Sequence, residues 1–331
     1  MRGGHMSNDP RMAIVGAGSL STKRIYPYIG AAGAHLVGVC DLDGQKAERN
    51  SRRFGGRPYS DMAKMLDEEK PDGVIICIGP EAHAELAPIV LTRGIPVYTE
   101  KPPAASASAA FDVAWVSKQT GVLCMTAFKK RYCHAYNAAK AWLDRYEAAD
   151  LYSISIDYAS AQYANDSPRT SFLLDFALHI IDLVGFLVGD VHQVFAFAKG
   201  LDAYAVSLEF TNGAVGSLNL NCGRSFSIPT EEVEITVRGG NFMTIHNSSS
   251  WRIAENGEPA QWREPPTFTS AGDSGNETGH LAEIVDFLQA IREGGTTRSA
   301  IYESYKSMVL YEAIARSAQG GIPVEVRYEQ L

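Results

Sequence analysis

The chain has 331 residues, which is about two domains at roughly 150 residues each. Hydrophobic residues make up 45% of it and charged residues 21%, which excludes wholesale disorder. Its 30 lysines and arginines against 38 acids leave −8, which excludes a protein that coats nucleic acid through a basic face.

No run of about 18 apolar residues is present, so no membrane span is predicted. The cysteines Cys40, Cys77, Cys124, Cys133 and Cys222 are scattered, without a C-x-x-C pair or a zinc spacing. They read as reduced thiols of a cytoplasmic protein, and no metal site is expected. Residues 1–10 read as a leader, with Met1–His5 an added segment ahead of a start at Met6.

Arg11–Val15 is a short apolar run that ends in Gly16-Ala17-Gly18. A helix is expected from Ser19 to Ala31, then a buried strand His35–Cys40 closed by Asp41. Strand, glycine turn, helix, strand and acid is the order of a dinucleotide-binding βαβ unit. Gly16 permits the tight turn, and Gly18 lets the backbone approach a pyrophosphate. The helix start at Ser19 and Leu20 offers free N–H groups. Ser21 stands where a third glycine is usual. Asp41 is placed to accept hydrogen bonds from ribose hydroxyls and to repel a 2′-phosphate. NAD is therefore favoured over NADP, with Arg49, Arg52 and Arg53 leaving NADP open.

The alternation continues through a helix Asp61–Glu69, a strand Asp72–Ile78, a helix Glu81–Arg93 and a strand Ile95–Tyr98. A helix Ser106–Thr120 and a strand Val122–Phe128 complete it. Residues 11–128 are thus expected to form a doubly wound parallel sheet of Rossmann type, with ligands at the carboxyl ends of the strands. Ile78-Gly79-Pro80 and Glu100-Lys101-Pro102 fall at that rim, with His83 close by.

From Leu151 the pattern changes to period two. Strands are expected at 151–158, 191–199, 203–210, 214–221, 232–238, 242–246 and 251–254. Helices are expected at 171–187, 281–292 and 302–318, and Gly257–Gly279 reads as a long surface loop. Residues 129–331 therefore read as an α+β domain with a large, mostly antiparallel open sheet, for substrate binding and oligomerisation. Val206, Leu208 and Phe210 exceed what so few helices cover, so a homodimer or homotetramer through this sheet is expected.

Two groups carry chemistry. Lys101 lies at a parallel-strand end, where partial desolvation favours proton exchange with a substrate oxygen. Asp175, His179 and Asp182 follow at offsets of four and three on one helical face. Near a helix start the dipole opposes protonation of His179, which suits a base. Asp182 reads as a structural partner. Lys130, Tyr163 and Arg169 are candidates for substrate contact.

These residues resemble the Gfo/Idh/MocA oxidoreductase family, named for glucose–fructose oxidoreductase and inositol dehydrogenase. The likeness runs from Arg11 to the C-terminus. It is strongest in Gly16-Ala17-Gly18, Asp41, Gly94–Pro102 and Asp175…His179…Asp182. It implies NAD as cofactor, held by Gly16, Gly18, Ser19, Leu20, Asp41, Ile78, Gly79, His83, Glu100 and Lys101. It implies Lys101, Asp175 and His179 as the catalytic group, and a sugar or polyol substrate oxidised at a secondary alcohol. Departures fall at Gly79, at Phe172-Leu173-Leu174 where a Gly-Gly pair is usual, and at Arg131-Tyr132-Cys133-His134. Two alternatives stay open: a lyase or glycosidase that retains NAD for transient oxidation, and a non-enzymatic NAD-dependent sensor.

Overall fold

A computed structural model of the chain describes residues 9–162, 171–267 and 277–331. It divides into two compact units. The first runs to Ala127 and takes in His280–Tyr302; the second holds Phe128–Gly279 and Glu303–Leu331.

The first unit begins β1 (Arg11–Val15), α1 (Ser19–Arg24), α2 (Tyr26–Ala31), β2 (His35–Cys40), α3 (Gly44–Phe54) and β3 (Arg57–Tyr59). It continues α4 (Met62–Glu69), β4 (Gly73–Ile76), α5 (Pro80–Leu91), β5 (Val97–Thr99), α6 (Ala107–Thr120) and β6 (Cys124–Thr126). Among the described residues these strands form one parallel sheet in the order β3-β2-β1-β4-β5-β6. That order reverses between β1 and β4, so the loops after these two strands flank the switch point where such sheets bind ligands.

The helix expected over Ser19–Ala31 is broken at Ile25. Pro27 lacks the N–H that a continuous helix needs there. The helix α3 and the strand β3 were not expected, although Asp43, which accepts the Gln45 N–H, and Gly55 at φ +96° cap α3. Only Ala47 and Asn50 of α3 are buried, so its apolar stripe is thin, and β3 is three residues long with Pro58 at its centre.

The contiguous division at 128/129 also needs correction, because α9 (His280–Glu293) belongs to the first unit. Phe287 of α9 meets Tyr98 of β5 edge-on at 5.8 Å, and both rings are fully buried.

The second unit contains α7 (His134–Leu143), β7 (Leu151–Ala159), α8 (Leu178–Val188), β8 (Val191–Lys199), β9 (Ala203–Phe210) and β10 (Val215–Asn221). It goes on with β11 (Thr230–Val237), β12 (Asn241–His246), β13 (Ser250–Glu255) and β14 (Glu258–Arg263). Most of α10 (Ile301–Gly320) and β15 (Val324–Glu325) complete it. The strand order among the described residues is β14-β13-β12-β11-β7-β10-β9-β8-β15. Among the described residues of this sheet only β10 and β7 pair in parallel.

Part of the expected surface loop Gly257–Gly279 is therefore the strand β14, paired with β13. It was hidden because it is an exposed edge strand with Pro259 inside it and no alternating burial.

The expectation that Val206, Leu208 and Phe210 are left uncovered is corrected as well. Each is at most 3% exposed within this one chain. Helix α8 is apolar on nearly every side and packs against β7, while Ser317 of α10 accepts the Ala196 N–H of β8 at 3.0 Å. The other face stays open. Glu234, Ser155, Ser217, Ser207 and Phe195 lie in one cross-strand row there, and Phe197, Val215 and Tyr152 are exposed.

Candidate active site

In the first unit the glycine turn is built from two different requirements. Gly16 has φ +107°, and a Cβ on it would lie 2.1 Å from the Cys77 carbonyl oxygen at the end of β4. The two switch-point loops touch there, so only glycine fits. Gly18 has an ordinary φ of −74°, and a Cβ on it would meet nothing within 4 Å. The space in front of Gly18 is open, which fits a pyrophosphate drawn close to the backbone. Ser21, in place of a third glycine, is fully buried and donates its hydroxyl to the Gly16 carbonyl at 2.9 Å. It thereby satisfies a loop acceptor, a role that sequence gave no sign of.

Asp41 follows β2. Its carboxylate accepts the Ala17 N–H at 2.7 Å and the Asp43 N–H at 2.9 Å. These bonds fix the group beside the glycine turn and leave lone pairs for ribose hydroxyls. Of the arginines nearby, Arg49 reaches the Ala17 carbonyl at 3.4 Å, Arg52 pairs with Glu48 at 3.0 Å, and Arg53 lies over Phe54.

Lys101 follows β5 in a loop anchored by its neighbours. The Glu100 N–H donates to the Ile76 carbonyl at 2.9 Å, and the buried Glu100 carboxylate accepts the Lys101 N–H at 3.0 Å. His83, expected at the rim, is turned inward and is 1% exposed. Its Nε2 accepts the Ile78 N–H at 3.1 Å, and its Nδ1 lies 2.8 Å from the Pro102 carbonyl. Nε2 must therefore be unprotonated and Nδ1 must carry the hydrogen, so the ring is a neutral clamp between the two rim loops.

In the second unit Phe172 opens the helix that carries Asp175 and His179. Leu173–Ala177 is wound as a π-turn before α8 proper begins at Leu178. Ser171 caps it by accepting the Leu174 N–H at 3.2 Å. Asp175 lies in the π-turn and His179 in the first turn of α8, about one turn apart; both are half-buried. Local π-turns recur at functional sites. Phe128 packs edge-on against His179 at 6.2 Å.

Asp182 is fully buried and takes a two-point bond from Arg131, at 2.9 and 2.8 Å, plus the Ser307 hydroxyl at 2.8 Å. Burial raises its carboxyl, against the pull of the guanidinium and of Ser307. Asp182 is thus a structural partner, and Phe128 and Arg131 of one turn hold His179 and Asp182 of one helix.

Lys130 needs correction. It was expected in contact with substrate, but it is buried and its ammonium is engaged by Glu231 and, at 3.2 Å, by Ser248. Tyr136 and Ser248 donate to the same Glu231 carboxylate. Burial alone would raise the Glu231 carboxyl, but Lys130, Ser248 and Tyr136 outweigh it and hold it below the ordinary glutamate value. The partners are 101 residues apart in the chain, which no spacing rule reveals. Tyr163 and Arg169 lie outside the described residues. Among the described residues no cluster of three or more His, Cys, Asp or Glu is arranged for a metal ion.

These geometries have counterparts in known proteins. The model of an oxidoreductase family with an NAD-binding Rossmann fold, GFO_IDH_MocA, matches residues 10–128, and that family's C-terminal α/β domain matches residues 152–326. D-apiose dehydrogenase of Paraburkholderia graminis is 24% identical over 95% of this chain and 89% of its own length. The scyllo-inositol 2-dehydrogenase (NAD(+)) of Bacillus subtilis is 22% identical over 97% of each chain. Among solved structures, levoglucosan dehydrogenase in complex with NADH and L-sorbose shares the fold, with a TM-score of 0.86. It is 20% identical, over 97% of this chain and 100% of that one. Both domains of one family thus run through the chain in order, and the protein belongs to the Gfo/Idh/MocA oxidoreductases, with an NAD-binding Rossmann fold in its first unit.

Proposed function

We propose that this protein transfers hydride between NAD(H) and a secondary alcohol or ketone of a sugar, a polyol or a sugar derivative. The observation that carries the reading is the presence in one family member of Lys101 after β5 together with Asp175 and His179 one turn apart. A sensor needs no acid–base group. Full-length relatives named for D-apiose and scyllo-inositol point to the same substrate class.

Gly18, Ser19 and Leu20 hold the pyrophosphate, and Gly16 shapes the turn behind them. Asp41 takes the adenosine ribose and favours NAD over NADP. Ile78, Gly79, His83 and Glu100 shape the rim loops around Lys101. When bound, the nicotinamide supplies the carbon that accepts or gives hydride. His179 takes the hydroxyl proton from the substrate. Lys101 hydrogen-bonds the same oxygen and stabilises the negative charge that develops on it. Asp175 orients His179. Tyr163 and Arg169 are proposed for the remaining substrate hydroxyls.

We also propose a cytoplasmic location, a compartment that keeps thiols reduced. None of its five cysteines is joined in a disulfide and all five are buried, and burial pushes the Cys40 and Cys133 thiols up to about 11. No helix among the described residues is long and apolar enough to cross a membrane.

The test is kinetic. With a substrate in hand, His179→Asn and Lys101→Met should each lower kcat by roughly 10²–10⁴, the worth of a positioned acid or base. NADH affinity of His179→Asn, read by fluorescence titration, should stay within about twofold of the parent. Full activity in both variants would remove the catalytic assignment.

A further inference from the structure

The acid–base stretch of the second unit is interleaved with aromatic rings. Phe172 and Phe176, four residues apart, flank Asp175 with their ring centroids 6.1 Å apart. Phe172 stacks on Tyr158 of β7 at 6.2 Å and 19°. Phe176 leans on Phe226, from the segment between β10 and β11, at 5.7 Å. The Lys130 ammonium lies 5.9 Å from the Tyr158 ring. Four rings therefore form one continuous strip, and the π-turn Leu173–Ala177 carries Phe176 within it.

The strip is unevenly buried. Phe172 is 4% exposed, Tyr158 and Phe176 are half-buried, and Phe226 is 61% exposed, with Ile228 beside it at 70%. The strip is half-buried at its Tyr158 end, most buried at Phe172, and opens to the surface at Phe226. Among the described residues, one exposed ring and one isoleucine are too little for a protein partner, because stable interfaces bury about 1,200 Å² or more. They suit a single flat ring. Aromatic faces take ring edges and C–H groups at offsets near those the four rings already show among themselves.

We infer that the strip Tyr158–Phe172–Phe176–Phe226 is a binding subsite for a flat apolar ring face that the substrate carries beyond the carbon being oxidised. Two chemistries supply such a face: the C–H face of a second sugar ring, and an aryl aglycone. The inference rests on the proposed hydride transfer at Asp175 and His179. It adds that the substrate is a glycoside and not a lone monosaccharide or inositol.

The experiment is calorimetric titration of the NADH-saturated protein with matched glycosides in gluco, galacto and xylo configurations. Each series compares the methyl β-glycoside, the phenyl β-glycoside and the corresponding β-1,4-linked disaccharide. In at least one series a ring-bearing ligand should bind tenfold or more tighter than its methyl parent. Phe226→Ala, at an exposed position, and Phe176→Leu, which keeps the side chain apolar, should each cut that ratio at least fivefold. The phenyl and disaccharide arms tell the two sources of ring apart. Equal affinity across every series, absence of binding by all of them, or a ratio unchanged in both variants would overturn the subsite. Absorbance at 340 nm with NAD⁺ is followed in parallel. A ring-dependent affinity without NADH formation on any glycoside would sink the hydride-transfer reading and leave the subsite. Turnover without ring dependence would do the reverse.

Discussion

Gly16 and Gly18 stand two residues apart and are glycine for opposite reasons. Gly16 is fixed by the protein's own backbone, since its Cβ would strike the Cys77 carbonyl at 2.1 Å. Gly18 faces open space and has a φ that any residue adopts. Gly18→Val should therefore leave stability within about 0.5 kcal/mol of the parent, as at other surface sites. The same variant should weaken NADH by about tenfold or more, which is about 1.4 kcal/mol of lost approach. Thermal unfolding and a fluorescence titration check the two halves. Unchanged NADH affinity would mean that the cofactor lies elsewhere.

His83 gives a second residue-scale prediction. Its Nδ1 bond reaches Pro102, next to Lys101, while its Nε2 bond holds Ile78. Asparagine reproduces a donor at the Nδ1 position, and glutamine reproduces a group at Nε2. If the clamp serves Lys101, His83→Asn should keep most of kcat and His83→Gln should lose about tenfold, with KM little changed in either. Equal losses that track thermal stability would make the clamp merely structural. Sequence singles out Gly16, Gly18, Asp41, Lys101, Asp175 and His179 as candidates, because each sits at a short, fixed offset from a strand or helix end. It could not show where His83 points, since its partner Pro102 is 19 residues away.

At the scale of elements, periodicity served where a face is buried and failed where none is. Strand β4 and helix α8 announced themselves by their apolar residues. The polar helix α3, the edge strand β14 and the buried Lys130–Glu231 pair did not. That pair fastens the turn after β6 to β11. The Glu231 carboxyl is held below its ordinary value, so its contribution to stability is present above the unfolded-state pKa. It is lost as pH falls through the lower folded value. Acid unfolding of the parent should therefore steepen below about pH 4, the range of an ordinary glutamate. Glu231→Gln leaves the Lys130 ammonium buried without its counter-charge and should cost about 3–5 kcal/mol at neutral pH. The variant should also flatten the acid limb. Urea melts from pH 3 to 7 check both; a parent and variant of equal stability at pH 7 would contradict the arrangement.

At the scale of the molecule, the chain covers one face of its large sheet with its own helices and leaves the other open. The inner residues Val206, Leu208 and Phe210 do not need a second subunit, contrary to the first expectation. An interface on the outer face would suit the homodimer or homotetramer expected from sequence better, since Phe197, Val215 and Tyr152 stand exposed around a row of serines. Phe197→Glu together with Val215→Glu should shift the species seen by light scattering to monomer. A parent that is already monomeric would end that proposal. The switch from a parallel to a mostly antiparallel sheet was legible from the change in hydrophobic period near Leu151. The return of α9 to the first unit was not, because a helix's apolar stripe does not say which sheet it covers.

The most direct measurement is absorbance at 340 nm on the purified protein with NAD⁺ and a panel of sugars, glycosides, inositols and sugar derivatives. NADH titration is run alongside. Tight NADH binding with net NADH formation on one compound, absent in His179→Asn, is the predicted result. Tight binding with no net redox change on any compound would contradict hydride transfer as the net reaction, in favour of a retained-NAD lyase or a sensor.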